Sequence, residues 1–156
     1  MTAWSVKGDN MLRLFNTHEV RRVSEIDGIW DFEMEGNDKK YRMMVPGCIE
    51  QHPDFLDKRE IGWYTRKINI LNDTNIRLEF KGVSHTADVY FDGEKVGHHY
   101  NAFTPFSMVV RDVKAGAHEL KVRVDNRFTP ESALHVPNDY YTYGGITRPA
   151  ALEELG

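Results

Sequence analysis

The chain of 156 residues has a single cysteine, Cys48, which excludes an intramolecular disulfide and a cysteine-rich metal site. No motif places a histidine beside this thiol, so we interpret it as a small, buried or half-buried apolar side chain rather than a nucleophile. Nowhere do about 18 apolar residues follow one another, as a membrane-spanning helix requires. The first ten residues, MTAWSVKGDN, also lack the apolar run of a secretory signal. We therefore expect a cytoplasmic protein without a membrane segment.

The chain also lacks a large excess of positive or negative charge. The formal net charge is -4, and acidic and basic residues are interspersed without a basic stripe. A nucleic acid or an anionic membrane therefore has no electrostatic support as a partner. Hydrophobic residues make up 40% and charged residues 28%, which is typical of soluble globular proteins. The length fits one domain with a sizeable core.

The hydrophobic pattern has a period of two almost throughout, which predicts β-strands. In GIWDFEM (28–34), three apolar side chains share one face and acidic side chains take the other. The segments NIRLEFKG, TADVYFDG and HELKVRVDN alternate in the same way. Strands that are apolar on one side and charged on the other are typical of antiparallel sheets with one solvated face.

Turn signals separate these runs at intervals of roughly 8 to 12 residues, the spacing of a sandwich or barrel. Asp92-Gly93 predicts a type I′ hairpin, because both central positions need positive φ. The weaker turns are LNDTN (71–75) and VKAGA (113–117), and residues 45–62 form a long polar connection that could contain a helical turn. We predict an all-β jelly-roll sandwich of about eight antiparallel strands.

Several kinds of catalytic or metal site find little support. Seven histidines are present, but none has metal-site spacing, and His98 and His99 would point to opposite faces of a strand. Glu33 and Glu35 share a strand face about 6.6 Å apart, yet that face is the solvated one, where nothing raises a carboxyl pKa. Ser84-His85 lacks a third triad member. No phosphate loop, metal site or cofactor site is predicted.

Arg66 is unusual because it shares a strand phase with the apolar Tyr64, Ile68 and Ile70. An arginine on an inner face must extend to solvent or pair with a carboxylate. We favour a structural ion pair over ligand binding.

The segment VPNDYYTYGGITRPA (136–150) combines Asp139 with three tyrosines, Tyr140, Tyr141 and Tyr143. Aromatic rings can cover the apolar face of a sugar while a carboxylate accepts hydrogen bonds from its hydroxyls. The competing interpretation is an aromatic loop in which Asp139 caps its own backbone as an Asx turn. On the chemistry alone, the second interpretation is favoured.

Three stretches, taken in order, carry a resemblance. The first, MLRLFNTHEVRRVSEIDGIWDFEM (11–34), resembles the start of β-glucuronidases of glycoside hydrolase family 2. The second comprises VPG (45–47), GWYTRKINI (62–70), residues 77–106 and LKVRVDN (120–126), which are similar to the amino-terminal sugar-binding-like domain of that family. The third, NDYYTYGGITRPA (138–150), resembles the loop and strand that close this domain.

The resemblance implies a galactose-binding-domain-like jelly roll over residues 11–156, after a flexible segment at 1–10. It also implies a larger enzyme of the β-glucuronidase or β-galactosidase type, in which an immunoglobulin-like domain and a (β/α)₈ barrel follow and the barrel carries both catalytic glutamates of a retaining mechanism. No catalytic residue is then expected in this chain. The resemblance leaves open the sugar that is cleaved and whether the parent enzyme is a homo-oligomer.

The same resemblance assigns Asp139 to binding hydroxyls of the non-reducing-end sugar of a β-glycoside. Tyr143, Gly144, Gly145 and Arg148 match the family's loop, and we interpret them as loop-shaping residues. Residues 48–60 depart from the family's pattern, so their role is not predicted. Two alternatives stay open: a free-standing, lectin-like module that binds glycan through the loop tyrosines, and an interaction module that docks another chain through an apolar patch.

Overall fold

The computed structural model describes residues 21–130 and 143–156. These residues contain ten β-strands and two short 3₁₀ turns. The strands are β1 (Arg22–Glu25), β2 (Gly28–Met34), β3 (Tyr41–Val45), β4 (Ile61–Ile70), β5 (Thr74–Phe80), β6 (Thr86–Phe91), β7 (Glu94–Tyr100), β8 (Phe106–Val113), β9 (Gly116–Asp125) and β10 (Ala150–Glu154). The 3₁₀ turns, Ile49–Gln51 and Pro53–Phe55, lie in the connection between β3 and β4.

The strands form two antiparallel sheets. One sheet has four strands in the order β1-β10-β5-β8, and the other has six in the order β3-β2-β4-β9-β6-β7. Because β4 and β9 pair over ten residues, from Ile61↔Asp125 to Ile70↔Gly116, they form the long centre of the larger sheet. The predicted all-β sandwich is confirmed.

The period-two pattern correctly predicted the buried faces. Trp30, Phe32 and Met34 of β2 are buried, whereas Asp31 is exposed. The corresponding apolar positions of the other three segments are buried too: Leu78, Phe80, Ala87, Val89, Phe91, Leu120, Val122 and Val124. These side chains belong to one hydrophobic cluster, so the alternation in the sequence decides which side of each strand loses contact with water.

The predicted turns are also present. Asp92 and Gly93 both have positive φ, 49° and 82°, and connect β6 to β7 as a type I′ hairpin requires. The two 3₁₀ turns lie in the long connection for which a helical turn was considered.

The predicted number of strands was too low, ten being present instead of about eight. A strand at β10 has little local signal, because its sequence AALEE consists of strong helix formers. It is extended because it lies between β1 and β5, where it can pair on both sides. In the described part of the chain, no helix is long and apolar enough to cross a membrane.

Candidate functional site

The described part of the candidate sugar loop is residues 143–149, here called the closing segment. Its backbone is held by two connections of the sandwich, the one between β3 and β4 and the one between β5 and β6. Gly145 exchanges two 2.9 Å hydrogen bonds with Ser84, and the Ile146 carbonyl accepts a 2.9 Å bond from the Gly47 amide. Thr147 and Arg148 both donate to the Gly82 carbonyl, at 3.2 and 3.3 Å. A segment with few regular strand partners is therefore fixed at nearly every residue.

Gly144 has an unusual partner. Its amide points at the carboxylate of Glu50, with N···O distances of 2.9 Å to Oε1 and 3.0 Å to Oε2. Its carbonyl accepts a 2.9 Å bond from the Ile49 amide. Two neighbouring residues of the first 3₁₀ turn therefore hold the Gly144 backbone through both its amide and its carbonyl.

Glu50 lies in the first 3₁₀ turn of the connection between β3 and β4 and is only 7% exposed, and burial of a carboxylate is costly. Loss of solvent raises the pKa of its carboxyl, while hydrogen bonds from Gly144 and Asn126 and the positive charge of Arg59 act in the opposite direction. The Asn126 side chain donates to Oε1 at 3.4 Å. Residues 48–60, whose role the sequence did not reveal, thus contain the buried acid of the site.

Gly145 is packed where no side chain fits. Its φ is +124°, and a Cβ added there would lie 2.7 Å from the Tyr64 hydroxyl and 2.9 Å from the Gly47 carbonyl oxygen. Tyr64 is itself fully buried on β4, and its burial raises the pKa of the phenol. Gly144 has no such φ, but a Cβ there would come within 2.8 Å of the Asn126 amide nitrogen. The two glycines are required for close approach, and Gly145 for its backbone angle as well.

Arg148 and Tyr143 lie at the surface. A Cβ added at Gly82 would lie 3.0 Å from Cδ of Arg148. The alkyl part of this arginine therefore covers the Gly82 backbone. Within residues 21–130 and 143–156, no carboxylate forms an ion pair with Arg148. Tyr143 has 53% of its surface exposed. The loop-shaping role of these residues stays a prediction.

Arg66 does not form the predicted ion pair. Its guanidinium donates to the Asp27 backbone carbonyl at 2.9 Å and lies 5.8 Å from the Trp30 ring centroid. The carboxylate of Asp27 instead accepts from the Ala150 amide at 2.9 Å. The prediction was wrong because a backbone carbonyl in the turn between β1 and β2 already offers an acceptor to the arginine.

The remaining candidates from the sequence are a metal site, the glutamates Glu33 and Glu35, and the thiol of Cys48. The described residues contain no group of three or more histidine, cysteine or acidic side chains that could hold a metal ion. Glu33 pairs with Lys40, and Glu35 accepts from the Trp63 indole at 3.2 Å. Cys48 is partly buried, and desolvation raises the pKa of its thiol, which disfavours the reactive thiolate. Asp139 and residues 1–10 lie outside the described residues.

A family model decides the classification. The model described as "Glycosyl hydrolase 2 galactose-binding domain-like" matches residues 54–151, which include β4 to β9, the closing segment and the first part of β10. The chain belongs to this glycoside hydrolase 2 family. A β-sandwich is therefore the expected fold, and the closing segment lies within the region that the model matches.

Relatives of this glycoside hydrolase 2 domain are enzymes several times its length. A putative β-glucuronidase of Formosa agariphila is 32% identical over 102 residues, or 63% of this chain and 12% of that protein. A β-glucuronidase of Streptococcus agalactiae is 28% identical over 166 residues, or 86% of this chain and 28% of that protein.

A solved structure is more similar. The crystal structure of a GH2 β-galacturonidase from Eisenbergiella tayi, bound to galacturonate, is 49% identical, with a TM-score of 0.85. The match covers 94% of this chain and 27% of that one. The glycoside hydrolase 2 domain thus spans little more than a quarter, or less, of each of these proteins.

Proposed function

We propose that this chain is the sugar-binding-like domain of a retaining β-galacturonidase and that it contributes one substrate-binding side chain, Asp139. The 49% identity to a β-galacturonidase over 94% of the chain is the observation that carries this proposal. The β-glucuronidases and β-galactosidases that match have lower identities, 19% to 36% over shorter or comparable stretches. A β-galacturonide is therefore the first choice for the substrate, and a β-glucuronide is the second.

Bond cleavage would belong to protein outside these 156 residues. A retaining mechanism needs two carboxyl groups about 5 to 5.5 Å apart, one as acid/base and one as nucleophile. Glu33 on β2 pairs with Lys40, Glu35 just after β2 accepts from Trp63, and Glu50 is held by Gly144. These three glutamates are therefore engaged by the chain itself. The proposed partners of the chain are an immunoglobulin-like domain and a barrel that carries both catalytic glutamates.

Asp139 would bind hydroxyls of the terminal sugar. An ionised carboxylate accepts short, charge-assisted hydrogen bonds, which fix the ring relative to the cleaved bond. Such a bond contributes about 1.5 to 3 kcal/mol, so its loss corresponds to roughly a 10- to 150-fold effect. The proposal therefore assigns Asp139 a part in substrate orientation and no part in proton transfer or nucleophilic attack.

Steady-state kinetics of the complete enzyme test both parts of the proposal. With nitrophenyl β-galacturonide, β-glucuronide and β-galactoside, we expect the highest kcat/KM for the galacturonide. Asp139→Asn should lower kcat/KM about 10- to 100-fold without changing the melting temperature. The matched control is Asp112→Asn, the same change at an exposed residue of β8. Asp112 lies beside the start of β5, whereas Gly82, which holds the closing segment, follows the end of β5. Preference for the galactoside, or equal kinetics for Asp139→Asn and the control, would contradict the proposal.

The exposed Tyr143 keeps a free-standing, lectin-like module as the second candidate. Titration calorimetry of the 156-residue chain with galacturonate, glucuronate and galactose separates the two candidates. A micromolar Kd would favour the lectin-like module. A domain that supplies only one wall of a pocket should bind these sugars too weakly for a measurable heat, because most of the contacts would be missing.

A further inference from the structure

Glu50 is a buried acid that the proposed function does not use. Among residues 21–130 and 143–156, it is the one acidic residue in the buried interior. Burial of a carboxylate is costly, and nothing in the hydrophobic core of a sandwich requires one. Its position therefore needs a specific reason.

The geometry shows what the carboxylate holds. Both oxygens accept from the amide of Gly144, at 2.9 and 3.0 Å, and the Ile49 amide donates to the carbonyl of the same glycine at 2.9 Å. Gly144 is also confined sterically, since an added Cβ would lie 2.8 Å from the Asn126 amide nitrogen, and Asn126 donates to Glu50. Gly144, Glu50 and Asn126 therefore form one contact group, here called the Gly144 clamp.

The clamp lies where the closing segment begins. After Gly144, the Gly145 and Ile146 backbones bond to Ser84 and Gly47. Those later contacts fix the path of the chain toward β10 but do not fix the Gly144 amide. Among the residues that the structure describes, only Glu50 of the clamp accepts a hydrogen bond from that amide. Asp139 precedes Gly144 by five positions in the sequence.

We propose that Glu50 is a positioning residue that fixes Gly144 and thereby sets the point from which the chain leads back to Asp139. This inference rests on the proposed substrate-binding role of Asp139. It assigns Glu50 no contact with the sugar. It gives residues 48–60 a role, namely to supply an acceptor of defined length and charge to the closing segment.

Charge and length of the acceptor can be varied separately. Glu50→Gln keeps the length and one acceptor oxygen but removes the charge, whereas Glu50→Asp keeps the charge and withdraws it by one methylene. In the complete enzyme we expect kcat/KM to fall about 3- to 10-fold for each, since a small misplacement of a binding group has a large kinetic effect. The split between KM and kcat should be the same as for Asp139→Asn.

A double-mutant cycle separates positioning from a purely structural role. If Glu50 acts through Asp139, Glu50→Gln should have little further effect on kcat/KM once Asp139→Asn is present. Additive losses would overturn the positioning role and leave the proposed function intact. Unchanged kinetics for Asp139→Asn alone would instead remove the proposed function, and with it any group to be positioned.

The clamp itself can be observed without activity. In ¹⁵N NMR spectra of the 156-residue chain, the Gly144 amide resonance should shift as the Glu50 carboxyl titrates, and the shift should be absent in Glu50→Gln. The other titratable or charged groups whose fields reach this site are Cys48, Arg59 and Tyr64. These are thiol, guanidinium and phenol groups, which titrate far above a carboxyl group. A Gly144 resonance that does not respond between pH 4 and 8, or responds equally in Glu50→Gln, would overturn the clamp.

Discussion

Replacement of Gly145 by alanine should destabilise the domain more than replacement of any glycine at an open turn. Two separate costs arise in the structure. The φ of +124° is a conformation that alanine avoids, at about 1 to 3 kcal/mol. The new Cβ would also lie 2.7 Å from the Tyr64 hydroxyl and 2.9 Å from the Gly47 carbonyl oxygen, and such overpacking costs about 1 to 3 kcal/mol.

The two costs sum to about 2 to 6 kcal/mol for Gly145→Ala, a large part of the 5 to 15 kcal/mol that is typical of a domain. Gly36→Ala is the matched control. Gly36 also has positive φ, +79°, but an added Cβ would meet no atom within 4 Å. It should therefore show only the conformational cost, about 1 to 2 kcal/mol.

Urea denaturation of the wild-type chain and both variants, followed by tryptophan fluorescence, measures the difference. Trp30 is fully buried and reports on the core. We expect the free energy of unfolding to fall by at least about 1 kcal/mol more for Gly145→Ala than for the control, with equal m-values. Equal losses would refute the reasoning, because the contacts around Gly145 would then contribute nothing.

Two further predictions concern titratable groups. Both ring nitrogens of His118 face acceptors, Asp92 at 2.6 Å and the Lys114 carbonyl at 2.7 Å, and the hydrogen bond to Asp92 is the main reason that the pKa of His118 is raised. A raised pKa means that this stabilisation is complete below the unfolded value of about 6.5 and is lost as the pH rises through the folded value. The difference in melting temperature between wild type and His118→Gln should thus be larger at pH 6 than at pH 8.5; a constant difference would contradict the role of the charged ring. Burial raises the pKa of the Cys48 thiol. The native chain should therefore react with a disulfide reagent at pH 7 at least about tenfold more slowly than the urea-unfolded chain. Equal rates would show an accessible thiolate.

Much of the fold could be predicted because burial in a sheet depends on local alternation. The apolar face of β2 and the Asp92-Gly93 hairpin follow from neighbouring residues alone, through side-chain direction and backbone φ. The strand at β10 could not be predicted in that way. Its alanines, leucine and glutamates favour a helix, and only the edges of β1 and β5 make the extended form the better one.

The candidate site, too, could be predicted only in part from the sequence. Arg66 was recognised as unusual from its phase on β4, but its acceptor, the Asp27 carbonyl, is 39 residues away and has no sequence signature. Glu50 was missed for the same reason. It lies in a polar connection with no period, and its partner Gly144 is 94 residues further along. A sequence signal for the contact between Glu50 and Gly144 would require both positions to be considered together.

The amino-acid sequence by itself determined the strand faces and the tight turns, because each depends on residues within a few positions of one another. It also carried the family resemblance, because that rests on short motifs taken in order along the chain. Only the tertiary structure decided that a glutamate in an irregular connection would enter the interior and hold a glycine amide near the carboxyl end. That pairing depends on the sandwich bringing residues 94 positions apart together where little solvent reaches them. A buried amide without a partner is costly, and the Glu50 carboxyl group supplies the acceptor for Gly144.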